Sequence, residues 1–270
     1  MRFEELGTRM KSYEQQITSS RLIPMLPIYV RIDGRAFHTF CRGLNKPFCM
    51  ELVETMQEVC KHLVFETKAQ LGYVQSDEIS LCWLSPEKAP FDGKIYKLQS
   101  VLPSIATSKF ITYIFEKQFN DLKQRCQRII PSFDCRICQL PNEIELANMF
   151  VWRELDAVRN SVQMLAQSQF SHNSLQGLNS KQLQDKLLTE KDINWNHLQD
   201  ELKRGTYYNR INIERELPDE IWNKIPDDKK PETRKVIRTI IEKYELPIMK
   251  KVINKSGVYF HNEIPQIRQD

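Results

Sequence analysis

Residues 27–38 read Pro27-Ile28-Tyr29-Val30-Arg31-Ile32-Asp33-Gly34-Arg35-Ala36-Phe37-His38, and residues 75–78 read Gln75-Ser76-Asp77-Glu78. In the first stretch Ile28, Val30 and Ile32 alternate with Tyr29, Arg31 and Asp33, the period of a strand with one face buried, so Asp33 leaves that strand as a carboxylate at its exit. Gly34 permits a tight turn there, and the amides of Gly34, Arg35, Ala36, Phe37 and His38 can face an anion if the chain stays curved. A helix follows over 47–66. Pro47 and Glu51 suit its start, and Leu52, Val53, Met56, Val59, Cys60, Leu63 and Val64 keep helical spacing. Such a helix carries the chain back along the sheet, so the next strand, about 69–75, runs in the same direction as the first. The turn at Ser76-Asp77 then sends 79–84 back as a hairpin partner, an almost continuous apolar run. Asp33 and the Ser76-Asp77-Glu78 turn therefore share one end of the sheet.

Two carboxylates from separate elements, meeting beside a loop able to hold phosphates, are what a site for two Mg²⁺ ions and a nucleoside triphosphate requires. Taken singly, each motif is an ordinary turn or cap. Together, a βαββ unit with acids at both tips has the arrangement of a polymerase palm or a nucleotide cyclase. The expected fold class is α+β: an antiparallel, ferredoxin-like sheet of the polymerase-palm kind with flanking helices and a C-terminal extension of helix and strand.

With Lys46-Pro47, Phe133-Asp134-Cys135-Arg136, Val151-Trp152-Arg153 and Lys203-Arg204-Gly205-Thr206 added to those two motifs, the sequence closely resembles the tRNA-histidine guanylyltransferase family of 3′-to-5′ polymerases over at least residues 1–210. The resemblance implies a nucleotidyltransferase that uses ATP or GTP to activate the 5′ phosphate of tRNA and then adds nucleotides there. It makes Asp33, Asp77 and Glu78 catalytic, with Asp33, Gly34 and Asp77 as metal ligands. It assigns the nucleotide to residues 34–38, Lys46, Ser76 and Lys97, with Lys97 as a phosphate clamp. Arg136, Arg153, Asn160, Lys203 and Arg204 become candidate tRNA contacts, and a homotetramer is implied. The family's histidine-tRNA enzymes carry His-Ile-Asn-Asn where this chain has Val158-Arg159-Asn160-Ser161, and only Asn160 survives. That departure favours the branch that repairs the 5′ ends of several tRNAs by copying the opposite strand. Three alternatives compete: a histidine-specific guanylyltransferase, a palm-type nucleotidyl cyclase, and a non-catalytic RNA-binding protein. The basic, aromatic C-terminal half argues against the cyclase. Retained Asp33, Ser76, Asp77 and Glu78 argue against the retired scaffold, because clustered carboxylates repel one another and need a reason to persist.

The chain has 270 residues, 41% of them hydrophobic, enough for a sizeable core, which we divide into a catalytic core over 1–140 and an extension over 141–270 packed on it. A net charge of +4 is only mildly basic, so a nucleic-acid surface must come from local clustering. No apolar run reaches membrane-spanning length and the first 20 residues are polar, which points to the cytoplasm. Seven cysteines, an odd number, argue for reduced thiols, and the Cys135/Cys138 pair lacks the second pair or histidines that zinc needs. Phe3, Leu6, Met10, Tyr13 and Ile17 form the stripe of a helix that packs, and Phe37, Phe40 and Phe48 are candidates for a base-stacking wall. Pro103 should kink or restart the helix around it. Further strands are expected over 132–138 and 208–213, and helices over 143–168 and 181–188. In the tail, a basic helix containing Val236, Ile240 and Tyr244 should precede a strand over 258–260.

Overall fold

A computed structural model describes residues 3–268. In chain order these form α1 (Phe3–Thr18), β1 (Ile28–Gly34), α2 (Phe37–Phe40), α3 (Met50–Thr67), β2 (Leu71–Gln75), β3 (Glu78–Trp83), α4 (Ile95–Lys117), α5 (Asn120–Arg128), β4 (Phe133–Gln139), α6 (Glu143–Gln169), α7 (His172–Leu175), α8 (Ser180–Lys191), α9 (Asp200–Arg204), β5 (Thr206–Glu216), α10 (Asp219–Trp222), β6 (Lys235–Lys243) and α11 (Lys255–His261). The strands make one antiparallel sheet in the order β4-β1-β3-β2-β5-β6. The fold class is α+β with a palm-like sheet, as the pattern implies.

Side-chain alternation decides what covers each face. Ile28, Val30, Ile32, Ile79 and Leu81 point to one side, where α3 and α4 cover them with Met56, Val59, Leu63, Leu102, Ala106 and Phe110. Tyr29, Leu71, Tyr73 and Cys82 point to the other, under Leu146, Ala147 and Phe150 of α6 and the buried Val258, Tyr259 and Phe260 of α11. The far half of α6 packs through Val162, Leu165 and Ala166 on Leu183 and Leu187 of α8. The polar positions on the α6 face, including Arg31, Asp33 and Glu78, therefore lie beneath or beside α6.

Four expectations need correction. First, α4 runs unbroken through Pro103, because Leu98, Leu102, Ala106, Phe110 and Ile114 are all fully buried and hold both halves of the helix in line. Second, α1 forms but buries nothing; Phe3 is 88% exposed and Ile17 66%. The third and fourth exchange the two tail elements. Residues 235–243 are β6, where the β-branched run Val236, Ile237, Thr239, Ile240 and Ile241 outweighs the helical spacing. Residues 255–261 are a helix, since a short apolar run such as Val258-Tyr259-Phe260 has no decisive period and here fills the space beside α6. No described helix is long and apolar enough to cross a membrane, and all seven cysteines are free thiols.

Glu154 of α6 is buried against the sheet, where its carboxylate accepts from the Tyr207 hydroxyl at 2.9 Å and the Met249 amide at 3.2 Å. Burial pushes its carboxyl above the ordinary 4.5. The folded chain thus holds this proton more tightly than the unfolded chain, and the stability this confers is present below pH 4.5 and lost as pH rises through the folded value. Glu154→Gln should therefore raise the urea midpoint at pH 7 and leave it unchanged in acid; an unchanged midpoint at pH 7 would contradict this.

Candidate active site at the sheet end

Register brings the acids together. Asp33, at the exit of β1, is paired with Glu78 on β3 and with Asp134 on β4, and the Gly34 amide donates to the Asp77 carbonyl at 3.0 Å. The Ser76-Asp77 turn and the β1 exit are thereby tied to each other through the backbone. Ser76 (φ 49°) and Ala36 (φ 55°) both sit in the left-handed region, which is costly for residues with a Cβ. Gly34 plays a different part from the one its sequence suggests. Its φ is not positive; instead a Cβ there would lie 2.4 Å from the Phe37 ring.

Burial pushes the Asp33 carboxyl above its ordinary range, against the pull of Arg31 and with a further push from Asp134. Burial does the same to Asp77, and the charge of Asp33 adds to it. Two crowded, partly desolvated carboxylates, neither of them in an ion pair among the described residues, are a donor set short of positive charge. Among the described residues no three His, Cys, Asp or Glu converge as a complete metal cage. Mg²⁺ does not need one, because it binds through one or two carboxylates and completes its shell with water and phosphate oxygens. Asp33, Asp77 and the Gly34 carbonyl fit that ion. Cys135 and Cys138 fit no zinc, since residues three apart on a strand face opposite sides of the sheet.

Asp77 and Ser76 also line a cleft of about 560 Å³ with His38, Asn45, Lys46 and Met164. The amides of Gly34 and Arg35 are already donated to Asp77 and Ser132, so of residues 34–38 only the amides of Ala36, Phe37 and His38 remain for an anion. The Phe37 side chain is core, 2% exposed, with its ring 5.0–5.5 Å from those of Phe40, Phe110 and Phe133. Phe40 is buried with it. Phe48 lines a separate slot with Asn160 and Ser76.

Lys97 lies elsewhere. β3 leaves the acids at Glu78 and ends at Trp83 at the far end of the sheet, and α4 starts there, with the Ile95 amide donating to the Ser20 carbonyl. Lys97 accordingly lines a groove with Glu14, Thr18 and Arg21, remote from Asp33 and Asp77. It cannot clamp a phosphate chain bound at those acids in the same subunit.

The expected tRNA contacts separate in the same way. Arg136 is 64% exposed in its side chain, 3.8 Å from Asp134. Asn160 donates to Asp156 at 3.3 Å. Arg153, by contrast, is 6% exposed, and its guanidinium spans both oxygens of Glu78 at 2.6 and 2.8 Å and donates to Asp156 at 2.9 Å. Its Nε and Nη2 donors are engaged inside the protein. Lys203 donates to the Asn196 carbonyl at 3.0 Å and sits over the Trp195 ring, while Arg204 donates to the Leu246 and Pro247 carbonyls at 2.7 and 2.9 Å. Both also pair with Asp200. The basic stretch ties α9 to the chain around it and does not present a free cationic surface.

Sequence reasoning passed over Asp134, Asp156 and Arg31. Arg31 and Arg136 are register partners, as are Asp33 and Asp134, so the Asp-x-Arg spacing in β4 that mirrors Arg-x-Asp in β1 was the available signal.

Residues 7–141, half of the chain, match the family described as tRNAHis guanylyltransferase, Thg1. The tRNA(His) guanylyltransferase of Schizosaccharomyces pombe is 28% identical over 220 residues, covering 77% of this chain and 81% of that protein. A bacterial tRNA(His) guanylyltransferase (Thg1)-like protein in complex with ATP superposes with a TM-score of 0.68 at 40% identity, covering 76% of this chain and 87% of that one. A bacterial Thg1-like protein in complex with GTP gives 0.64 at 32% identity, covering 92% and 94%.

Arg204→Ala removes charged donors from two backbone carbonyls and should lower stability by about 1.5–3 kcal/mol in urea unfolding. Normal stability with weakened tRNA binding would return Arg204 to the RNA surface.

Proposed function

Because the chain belongs to the tRNAHis guanylyltransferase family, we propose that it extends the 5′ end of tRNA in the 3′-to-5′ direction, repairing truncated ends by copying the opposite acceptor strand. Membership makes it a nucleotidyltransferase of tRNA; direction, template dependence and metal are the further reading. The observation that carries it is the convergence of Asp33 and Asp77, short of positive charge, beside a cleft lined by Phe37, His38, Lys46 and Ser76.

The reaction has two phosphoryl transfers. The 5′-phosphate oxygen of the tRNA attacks the α-phosphorus of ATP or GTP, expelling pyrophosphate and leaving a 5′–5′ nucleotidyl diphosphate. The 3′-hydroxyl of an incoming nucleoside triphosphate then attacks the tRNA 5′ phosphorus and expels the nucleoside monophosphate. Asp33 and Asp77, with the Gly34 carbonyl, would hold Mg²⁺, which supplies charge to ready the hydroxyl and to stabilise the leaving phosphate. Lys46 would offer a point charge to the triphosphate and Ser76 a hydroxyl, both from the lining of the cleft. The remaining work is positioning of the RNA end, for which Arg136 is an exposed cation on the strand beside β1.

Val158 in place of the family's histidine supports repair over histidine-tRNA recognition, since base pairing rather than the protein then supplies the sequence information. The exposed stripe of α1 supports a homo-oligomer, in which that apolar face would be covered.

The test is incubation with a tRNA lacking its first nucleotide, ATP and labelled nucleoside triphosphates. The nucleotide complementary to the opposite strand should be added whatever the anticodon. Asp33→Asn and Asp77→Asn should abolish addition while leaving the melting temperature equal or higher, because each removes one of two crowded charges. Activity confined to histidine tRNA and lost on changing its anticodon would favour the guanylyltransferase reading instead.

A further inference from the structure

Two further carboxylates, Glu78 and Asp134, flank Asp33 at this sheet end, although no three acids there form a complete metal cage among the described residues. Glu78 follows Asp77 directly and is the register partner of Asp33, and directly paired residues project from the same face with Cβ atoms about 5 Å apart. A third carboxylate within reach of a divalent cation would join or displace Asp33 and Asp77 as ligands and change both the affinity and the choice of cation. The β-sheet pairing does nothing to prevent this. Arg153 does, because its Nε and Nη2 donate to the two oxygens of Glu78 at 2.6 and 2.8 Å and hold that carboxylate against α6, with Arg31 3.7 Å away as a second, looser partner. Arg153 is itself held by Asp156 at 2.9 Å and stacks 4.5 Å from the Trp152 ring, so the fork arrives pre-aimed from α6. Glu78 is 4% exposed and Arg153 6%. An ion pair buried this deeply gains little stability over apolar packing of the same volume, so its position against the catalytic turn needs another explanation.

We propose that Arg153 is a positioning residue that withdraws Glu78 from the metal set, leaving Asp33 and Asp77 as the carboxylate ligands. This rests on the two-metal reading of the site. It reverses two roles that the motifs suggest, Glu78 as a catalytic acid and Arg153 as an RNA contact. It also gives Asp156 a function, because its other oxygen pairs with Arg159 and its carboxylate accepts from Asn160, which links the fork to the motif that departs from the histidine-tRNA enzymes.

The experiment titrates metal-free protein with Mg²⁺ and Mn²⁺, reading thermal stabilisation and the free Mn²⁺ electron paramagnetic resonance signal, with no substrate present. Arg153→Met releases Glu78 and should tighten metal binding by about tenfold or more, the scale on which groups around metal ligands act. Adding Glu78→Gln to that variant should restore the wild-type metal titration, and Glu78→Gln alone should leave it unchanged. If Arg153→Met fails to fold, Arg153→Lys serves, since an ammonium keeps the charge but cannot span both oxygens; its effect should have the same sign. A purely structural pair would lower the melting temperature of Arg153→Met or Arg153→Lys without moving the metal titration, and that result overturns the proposal. So does Glu78→Gln weakening metal binding as Asp77→Asn does, which would make Glu78 a ligand. Asp33→Asn and Asp77→Asn are run alongside: if they leave the metal response intact, the two-metal reading itself fails.

Discussion

Crowded negative charge at one end of an antiparallel sheet is the constraint around which this protein is arranged. The register that pairs β1 with β3 and β4 puts Asp33 between Glu78 and Asp134, and the Gly34–Asp77 backbone bond brings Asp77 to the same place. Like charges in a partly desolvated setting raise one another's pKa and cost stability. The fold tolerates this because burial of the apolar face, not the chemistry of the polar one, sets the register. On the opposite face Ile28, Val30, Ile32 and Ile79 are fully buried, so a one-residue slip would expose the whole apolar set.

The two layers of helix divide the work. α3 and α4 seal the apolar face and, through Phe110 and its contact with Phe37, fix the loop that carries residues 34–38. α6 covers the polar face, and there it contributes charge as well as apolar packing: Arg153 neutralises Glu78, Asp156 steadies Arg153, and Glu154 faces the Tyr207 hydroxyl one position away. One helix thus reaches from the acids to Asn160.

The β5–β6 half of the sheet lies on the far side of β2 from the acids. The basic residues at the end of α9, just before β5, are consumed in local contacts. Arg204 closes α9 onto residues 246–247, and Lys203 closes it onto Trp195 and Asn196. A cluster of cations in a sequence reads as a nucleic-acid surface only while its partners are unknown. Here backbone carbonyls and Asp200 supply those partners.

The alternation of residues 28–33, the helical period of 50–64 and the short turn at Ser76-Asp77 determined by themselves that Asp33 and Asp77 would meet, because strand and helix directions follow from local geometry once the order βαββ is known. The same local signals placed β4 and α6 to within a residue or so. Everything that depended on a partner distant in sequence was decided by the tertiary structure. Lys97 lies in the first turn of a helix whose start, at the far end of the sheet, is set by the length of the loop before it. Arg153 found Glu78 across 75 residues, and its burial could not be read from a Trp-Arg motif that suits a surface equally well. The tail inverted for the same reason. Lys235–Lys243 had a free strand edge at β5 to join, and Lys255–His261 had a space beside α6 to fill, and neither exists until the rest of the chain has folded.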